Sequence, residues 1–329
     1  ALAALAFVAS FALDQFDASA FLPIANGRAL SCLSLAIAGL FIAQQAFAHR
    51  DRLRVAEMRL TQALGAWGLL WWTGGGIAEI DQFVLERLQV SALIGLVAVT
   101  MVGLEIGAAR RGWEPGRFLA LAGLPAFGWL LLASLAIQPH VLADAGWLVW
   151  PMALLACHFL WARRVELHPR TMAGFRSGAL WLLALVAALG LSGIAEHPLA
   201  LPIDWQLAGF GWGLSGVLFG VMAMHGRGHP PFDREDEDLF VSGLAPIAGV
   251  GLLWVLGAQL AARGEAAPLP HLPLLNPVDV TAGLVAVVVI GWWRALDARL
   301  AEPVAPGLKR AFVISLAGLG FCWLNGVLA

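Results

Sequence analysis

Leu88-Gln-Val-Ser-Ala-Leu-Ile-Gly-Leu-Val-Ala-Val-Thr-Met-Val-Gly-Leu-Glu-Ile-Gly-Ala-Ala109 is a run of 22 residues with one charged side chain, Glu105. A helix needs about 20 mostly apolar residues to cross bilayer hydrocarbon, whereas a membrane strand reads as about ten residues of alternating polarity. This run does not alternate, so it reads as a membrane-crossing helix. The same texture returns on either side, at 1–13, 29–48, 60–77, 118–137, 147–162, 174–195, 206–224, 241–262, 278–293 and 311–329. The expected fold is therefore all-α, a polytopic transmembrane helical bundle of about eleven spans, forming a single domain over residues 1–329.

Composition points the same way. The chain is 60% hydrophobic and 13% charged, with mean hydropathy +0.79, against about 45–50% and about 25% in soluble domains. A soluble globule of this size has no interior large enough for that much apolar side chain. Twenty basic and 22 acidic residues, with no basic tract, exclude a nucleic-acid binder. Cys32, Cys157 and Cys322 lie in apolar runs and form no C-x-x-C pair, which argues against a zinc site or a disulfide framework. The one lysine, Lys309, stands in a polar stretch without a Walker loop and outside any span, so neither phosphate-loop nor Schiff-base chemistry is expected. No cofactor and no metal is expected. Spans of this length leave loops of about ten residues and no room for a soluble catalytic domain, and the sequence leans away from an enzyme.

Lysine and arginine set the direction. Seventeen of the 20 fall in alternate loops around 50–59, 110–117, 163–176, 227–234 and 294–310; Arg28, Arg87 and Arg263 fall in the others. By the positive-inside rule the 17 are cytoplasmic, which places the residue-1 end in the cytoplasm and the residue-329 end in the periplasm of a bacterial inner membrane. Ala1 opens inside an apolar run and Ala329 closes directly after one, so the chain is expected to be an ordered part of a longer protein.

Polar groups gather in the sparsely basic loops. Asn276-Pro277-Val-Asp279 has the form of a helix start, with Asn276 as N-cap, Pro277 at the first position and Asp279 at the third. Pro202-Ile-Asp204-Trp205 and Asn26-Gly27-Arg28 open the spans at 206–224 and 29–48 from the same face. These residues serve either as caps or as a site where helix N-termini present free N–H groups to a phosphate or carboxylate. Trp71-Trp-Thr-Gly74-Gly-Gly76-Ile-Ala-Glu79-Ile-Asp81 is the most unusual stretch. Three glycines disfavour regular helix, so it reads as a helix stop or as irregular backbone beside a cavity bordered by Glu79 and Asp81, with Arg28 and Arg87 as counter-charges.

Glu105 is the one acid inside a span, and it either pairs with Arg110 or marks a functional site. Small residues four apart at Gly103/Gly107, Gly174/Gly178, Gly209/Gly213 and Gly216/Gly220 suit close helix packing. His158, without a second intramembrane histidine as a haem partner, reads as a packed polar residue. The acidic run 233–238 reads as a solvated loop. The Gly-Leu-Ser-Gly segments at 190–193 and 213–216 follow no strand and make no nucleophile elbow.

The order of Asn26-Gly27-Arg28, Gly74-Gly75-Gly76 with Glu79, Trp150-Pro151, Asp204-Trp205, Leu275-Asn276-Pro277-Val-Asp279 and Trp323-Leu-Asn325 resembles the bacterial predicted-membrane-protein family called domain of unknown function 2339. The likeness spans essentially the whole chain and implies the C-terminal portion of such a protein, a long helical bundle in the inner membrane. It carries over no catalytic or binding residues. Three functions fit. The first is transport or handling of an envelope lipid-linked or anionic small molecule through an outward polar cavity of Arg28, Glu79, Asp81, Asp204, Asn276 and Asp279. The second is a membrane-embedded transferase using those acids as general base, with catalytic residues unassigned. The third is a non-catalytic subunit of a membrane complex. Expected partners are membrane lipids, such a small molecule and, on the third reading, other subunits. Accessibility labelling of single-cysteine variants in intact cells should find residue 233 cytoplasmic and residue 271 periplasmic; the reverse at either position breaks the span assignment.

Overall fold

The computed structural model describes residues 23–163, 169–226, 239–270, 275–298 and 306–328. Regular structure among them is entirely helical: α1 Gly27–Ala48, α2 Val55–Phe83, α3 Glu86–Arg110, α4 Glu114–Leu121, α5 Gly123–Ile137, α6 Gly146–Arg163, α7 Pro169–Glu196, α8 Ile203–Gly226, α9 Ala245–Ala261, α10 Pro277–Asp297 and α11 Pro306–Leu328, with a π-helical turn, Leu239–Leu244, leading into α9. Seven stretches are long and apolar enough to cross a membrane: Gly27–Ala48, Glu86–Arg110, Glu114–Ile137, Thr171–Glu196, Ile203–His225, Leu239–Ala261 and Pro277–Asp297. The expected spans at 60–77, 147–162 and 311–329 lie on α2, α6 and α11; glycine, tryptophan and polar residues dilute the hydropathy of α2 and α6. The span at 1–13, the acidic run 233–238 and His271 lie outside the described residues. The chain divides into two compact units, Ala1–Ala126 and Phe127–Ala329.

In the first unit α1 and α2 form an antiparallel pair in backbone contact. The buried residues of α1 are Cys32, Ala36, Gly39 and Ala43, and those of α2 are Gly65, Gly68, Trp71 and Gly75. Both sets repeat every three or four residues, so each makes one stripe on its helix. A Cβ on Gly39 would lie 2.8 Å from the Leu64 carbonyl oxygen and 2.9 Å from Gly68 Cα, and one on Gly75 would lie 2.7 Å from Cys32 Cβ. These stripes of small residues let the helix backbones touch, the main source of helix association in lipid.

The triple glycine departs from expectation, because α2 runs unbroken through it to Phe83. Gly75 faces Cys32 on α1, and a Cβ on Gly76 would lie 2.6 Å from a methyl of Leu96 on α3. Two helices approach α2 here from different sides. The glycines clear space for both, and the flanking turns keep the backbone helical. The small-residue pairs also sort themselves: Gly209 and Gly213 are contacts, whereas Gly103, Gly174, Gly216 and Gly220 have nothing within 4 Å of a Cβ among the described residues.

In the second unit α7 and α8 make the equivalent close pair. A Cβ on Gly213 would lie 2.4 Å from Ala188 Cα, and one on Gly209 would lie 2.9 Å from the Leu191 carbonyl. Leu214, Phe240, Leu244, Val285 and Trp292 fill the core beside it. The π-turn offers backbone carbonyls to neighbours, so that Trp181 Nε1 donates to the Gly243 oxygen at 2.9 Å and Trp292 Nε1 to the Phe240 oxygen at 3.1 Å. Ser177 and Ser242 hydroxyls meet at 2.8 Å beside them. His158, expected to pack inside, is exposed; the buried stripe of α6 runs through Ala153, Cys157, Leu160 and Trp161, which turns residue 158 away.

One substitution made at two sites separates packing from propensity. Gly68→Ala places a methyl 2.9 Å from backbone atoms of α1, and Gly74→Ala places it in open space. The thermal midpoint in detergent should fall for Gly68→Ala, by about 1–3 kcal/mol of stability for overpacking. It should hold or rise for Gly74→Ala, by up to about 1 kcal/mol from helix propensity. Equal shifts would refute backbone contact at Gly68.

Candidate functional site

The six residues from the sparsely basic loops divide between the units, Arg28, Glu79 and Asp81 in the first and Asp204, Asn276 and Asp279 in the second. In the first unit Glu79, near the end of α2, receives the lead-in to α1. Its Oε2 accepts from the Ile24 backbone N–H at 2.8 Å and its Oε1 from Asn26 Nδ2 at 2.8 Å. Asn26 in turn caps α1, its Oδ1 accepting from Ala29 N–H at 2.8 Å. Ile24 sits at φ 67°, a left-handed conformation that a β-branched residue adopts only when its surroundings impose it, and the bond its N–H donates to Glu79 holds it there. Arg28 lies 3.7 Å from Glu79 and donates to the Ala78 carbonyl at 3.1 Å and to Gln82 Oε1. This arrangement occupies both Glu79 oxygens and draws Arg28 onto α2. Asp81 is exposed, and its contribution is a backbone carbonyl that Gln89 Nε2 reaches at 3.3 Å.

The second unit gathers polar groups where α8 and α10 begin and α9 and α11 end. Asn276 is the N-cap of α10, Pro277 follows it, and Asn276 Oδ1 accepts from Asp279 N–H at 2.8 Å. The Asp279 carboxylate is 4% exposed. Its Oδ1 accepts from Gln259 Nε2 of α9 at 3.1 Å and from Trp323 Nε1 of α11 at 2.9 Å, and its Oδ2 accepts from Asn276 Nδ2. Three neutral donors from three elements converge on one acid, and no cation within ion-pair distance joins them among the described residues. Asp204, in the first turn of α8, is 0% exposed. Its Oδ1 accepts the Arg263 backbone N–H just past α9 at 2.9 Å, and its Oδ2 has no partner among the described residues. Gln259 and Arg263 are one turn apart, so both buried acids attach to the end of α9. Trp205 Nε1 adds a bond to the Ala267 carbonyl at 2.9 Å.

Asp204 therefore differs from a cap: its bonded oxygen reaches across to α9 instead of back to its own helix. Gln259 and Trp323 complete the cluster and were not singled out from sequence. Gln259 carries a readable signal as the one amide in the apolar run 241–262.

Glu105 also departs from expectation. Its partner is Arg117, whose Nε and Nη2 lie 3.1 and 2.9 Å from Oε1, and Glu105 is fully buried. Arg110 is five residues on, about 140° around a helix of 3.6 residues per turn. Gly112, at φ +61°, instead turns the chain back, so that α4 lays Arg117 over the acid. The pair ties α4 to α3.

A histidine pair escaped sequence reading because its members are 57 residues apart. The rings of His140 and His197 stack with centroids 5.5 Å apart and an interplanar angle of 21°. His197 Nε2 lies 2.7 Å from the Pro139 carbonyl, and His140 rests where a Cβ on Gly193 would be 2.3 Å away. Burial, and then the neighbouring His197, lower the pKa of His140 below its ordinary 6.5, against smaller opposing effects of Asp144 and Glu196.

The family model described as predicted membrane protein (DUF2339) matches residues 1–329, and the chain belongs to that family. No curated protein and no solved structure matches the chain.

A lowered histidine pKa means that the unfolded chain binds the proton more readily than the folded one. The contribution of the His140 stack is then fully present above pH 6.5 and is lost as pH falls from there through the lower folded value. Hydrogen exchange in residues 138–145, corrected for intrinsic rate, should accelerate between pH 7.5 and 5.5, and His140→Phe should abolish that acceleration. Retention of the pH dependence in the variant would assign it elsewhere.

Proposed function

We propose that this member of the DUF2339 family is a multi-pass inner-membrane protein that transports or handles a small or lipid-linked polar solute, with Asp204 and Asp279 as its working groups. Family membership and seven membrane-length helices make the chain an integral membrane protein. The observation that carries the rest is Asp279, a buried acid at the start of a membrane-length helix, held among the described residues by neutral donors. Ionisable groups within the membrane are costly, and where they persist they face solute or ion pathways. Asp204 adds a buried carboxylate oxygen with no partner among the described residues, an atom open to a proton or a cation.

An anionic solute beside two carboxylates needs its charge balanced, so it enters with a proton or cation. Arg28, the natural anion partner in the sequence, is already drawn to Glu79, Ala78 and Gln82. On the count of basic residues the acids face the periplasm, with the residue-1 end cytoplasmic and the residue-329 end periplasmic. The transferase reading finds less support, because three hydrogen bonds from other side chains already engage the Asp279 carboxylate.

Thermal unfolding of the full chain in detergent tests this, with an isoprenyl phosphate, a small dicarboxylate and sodium chloride as probes at pH 5.5 and 7.5. At least one probe should stabilise the wild type, by about 2.7 kcal/mol at one hundred times its Kd, and the gain should depend on pH or sodium. Asp204→Asn should keep the fold and lose the gain. No stabilisation by any probe, or the same gain in the variant, would overturn the assignment.

A further inference from the structure

A second site lies in the first unit, away from the buried acids. Where α1 ends and α2 begins, a cavity of about 430 Å³ opens between them and α4, within the range of small-molecule pockets. Ala43, Phe47, Met58, Gly65, Trp113 and Phe118 make most of its wall. Three features create it. Gly65 presents no side chain, Gly112 turns the chain into α4, and α4 is only 8 residues long, so it props against α1 and α2 without filling the corner between them. Met58 to Gly65 is about 10 Å of helix at 1.5 Å per residue, so the cavity runs about two turns along α2 from near its start.

Its polar groups are few. The Thr61 hydroxyl is spent on the Met58 carbonyl at 2.8 Å; the Gln62 amide and the exposed Glu114 carboxylate remain. The two segments that flank it are rich in arginine. The Arg50 guanidinium stands 4.8 Å above the ring of Phe47, itself a wall residue. Segment 50–59 brings four arginines and segment 110–117 three, against Asp51, Glu57, Glu105 and Glu114, of which Glu105 is matched by Arg117. Trp113, packed against Ala43 and Ala108, holds these segments at one end of the unit.

We propose that this cavity is a binding site for an anionic phospholipid, the acyl chain lying along Phe47, Met58 and Trp113 and the phosphate facing Arg50. The apolar wall supplies affinity for any acyl chain. The surplus of arginine supplies the preference for a negative headgroup, about fivefold for one basic side chain at a membrane surface.

Native mass spectrometry of the full chain in neutral detergent tests the proposal with dioleoyl phosphatidylglycerol and dioleoyl phosphatidylcholine. The wild type should retain one phosphatidylglycerol about fivefold more tightly than phosphatidylcholine. Arg50→Gln should bring the two together, while Thr61→Phe, which fills the cavity, should weaken both. Met58→Trp serves as a second filling variant, and variants are compared only where their thermal midpoints match the wild type. Inorganic phosphate at millimolar concentration should not displace the lipid; displacement would mark a simple anion site. Equal retention of the two lipids by the wild type, or unchanged phosphatidylglycerol retention in both filling variants, would overturn it.

Discussion

In hydrocarbon a leucine gains nothing by leaving lipid for another leucine, so helices associate where their backbones come close enough for dense packing. The contact of Gly39 with Gly68 is the constraint on which the first unit depends. It fixes the antiparallel register of α1 and α2, and that register decides both ends of the pair. At one end it sets Glu79 opposite Ile24, Asn26 and Arg28. At the other it sets Gly65 against Ala43 and leaves the corner that α4 only partly covers. In the second unit Gly209 and Gly213 seat α8 on α7, while Gly211, about 200° around the same helix from either, meets Thr281 of α10 and the Trp254 ring of α9. Alternating glycines thus give α8 two close faces, and the starts of α8 and α10 meet the end of α9.

The same solvent penalises any polar group left without a partner, and here the answer is tryptophan. The chain has 15 tryptophans and no tyrosine, and an indole can only donate. Five of the indoles donate to acceptors on other elements: the Thr100 hydroxyl for Trp72, the Gly243 carbonyl for Trp181, the Ala267 carbonyl for Trp205, the Phe240 carbonyl for Trp292 and the Asp279 carboxylate for Trp323. Each bond ties two segments where aliphatic packing offers no directional preference. The π-turn at 239–244 draws on two of them, which offsets the irregularity of its backbone.

Buried charge is treated in two ways. Glu105 meets a guanidinium, an arrangement that holds two helices together. Among the described residues Asp279 and Asp204 meet neutral donors and no cation. That difference in partner chemistry, rather than burial, distinguishes the acids of the second unit from Glu105.

Much was legible in the sequence because it depends on local quantities. Span length and the absence of alternation required membrane helices, and Asn276-Pro277-Val-Asp279 specified a capped helix start, since a cap is made within four residues. The glycine triplet misled for the opposite reason: its helix is kept by flanking turns, while the use of Gly75 and Gly76 depends on Cys32 and Leu96, distant in sequence. Arg117 rather than Arg110 meets Glu105 because the turn at Gly112 changes the direction of the chain, which no spacing along one helix reveals. The assembly of Gln259, Asn276 and Trp323 around Asp279 was likewise decided by the tertiary structure, since it needs three helices seated by backbone contact before any of these side chains can find another. Sequence alone determined which segments must avoid water; which buried polar groups would share a partner was settled only by helix packing, because a hydrogen bond requires atoms within about 3 Å and only packing brings distant residues that close.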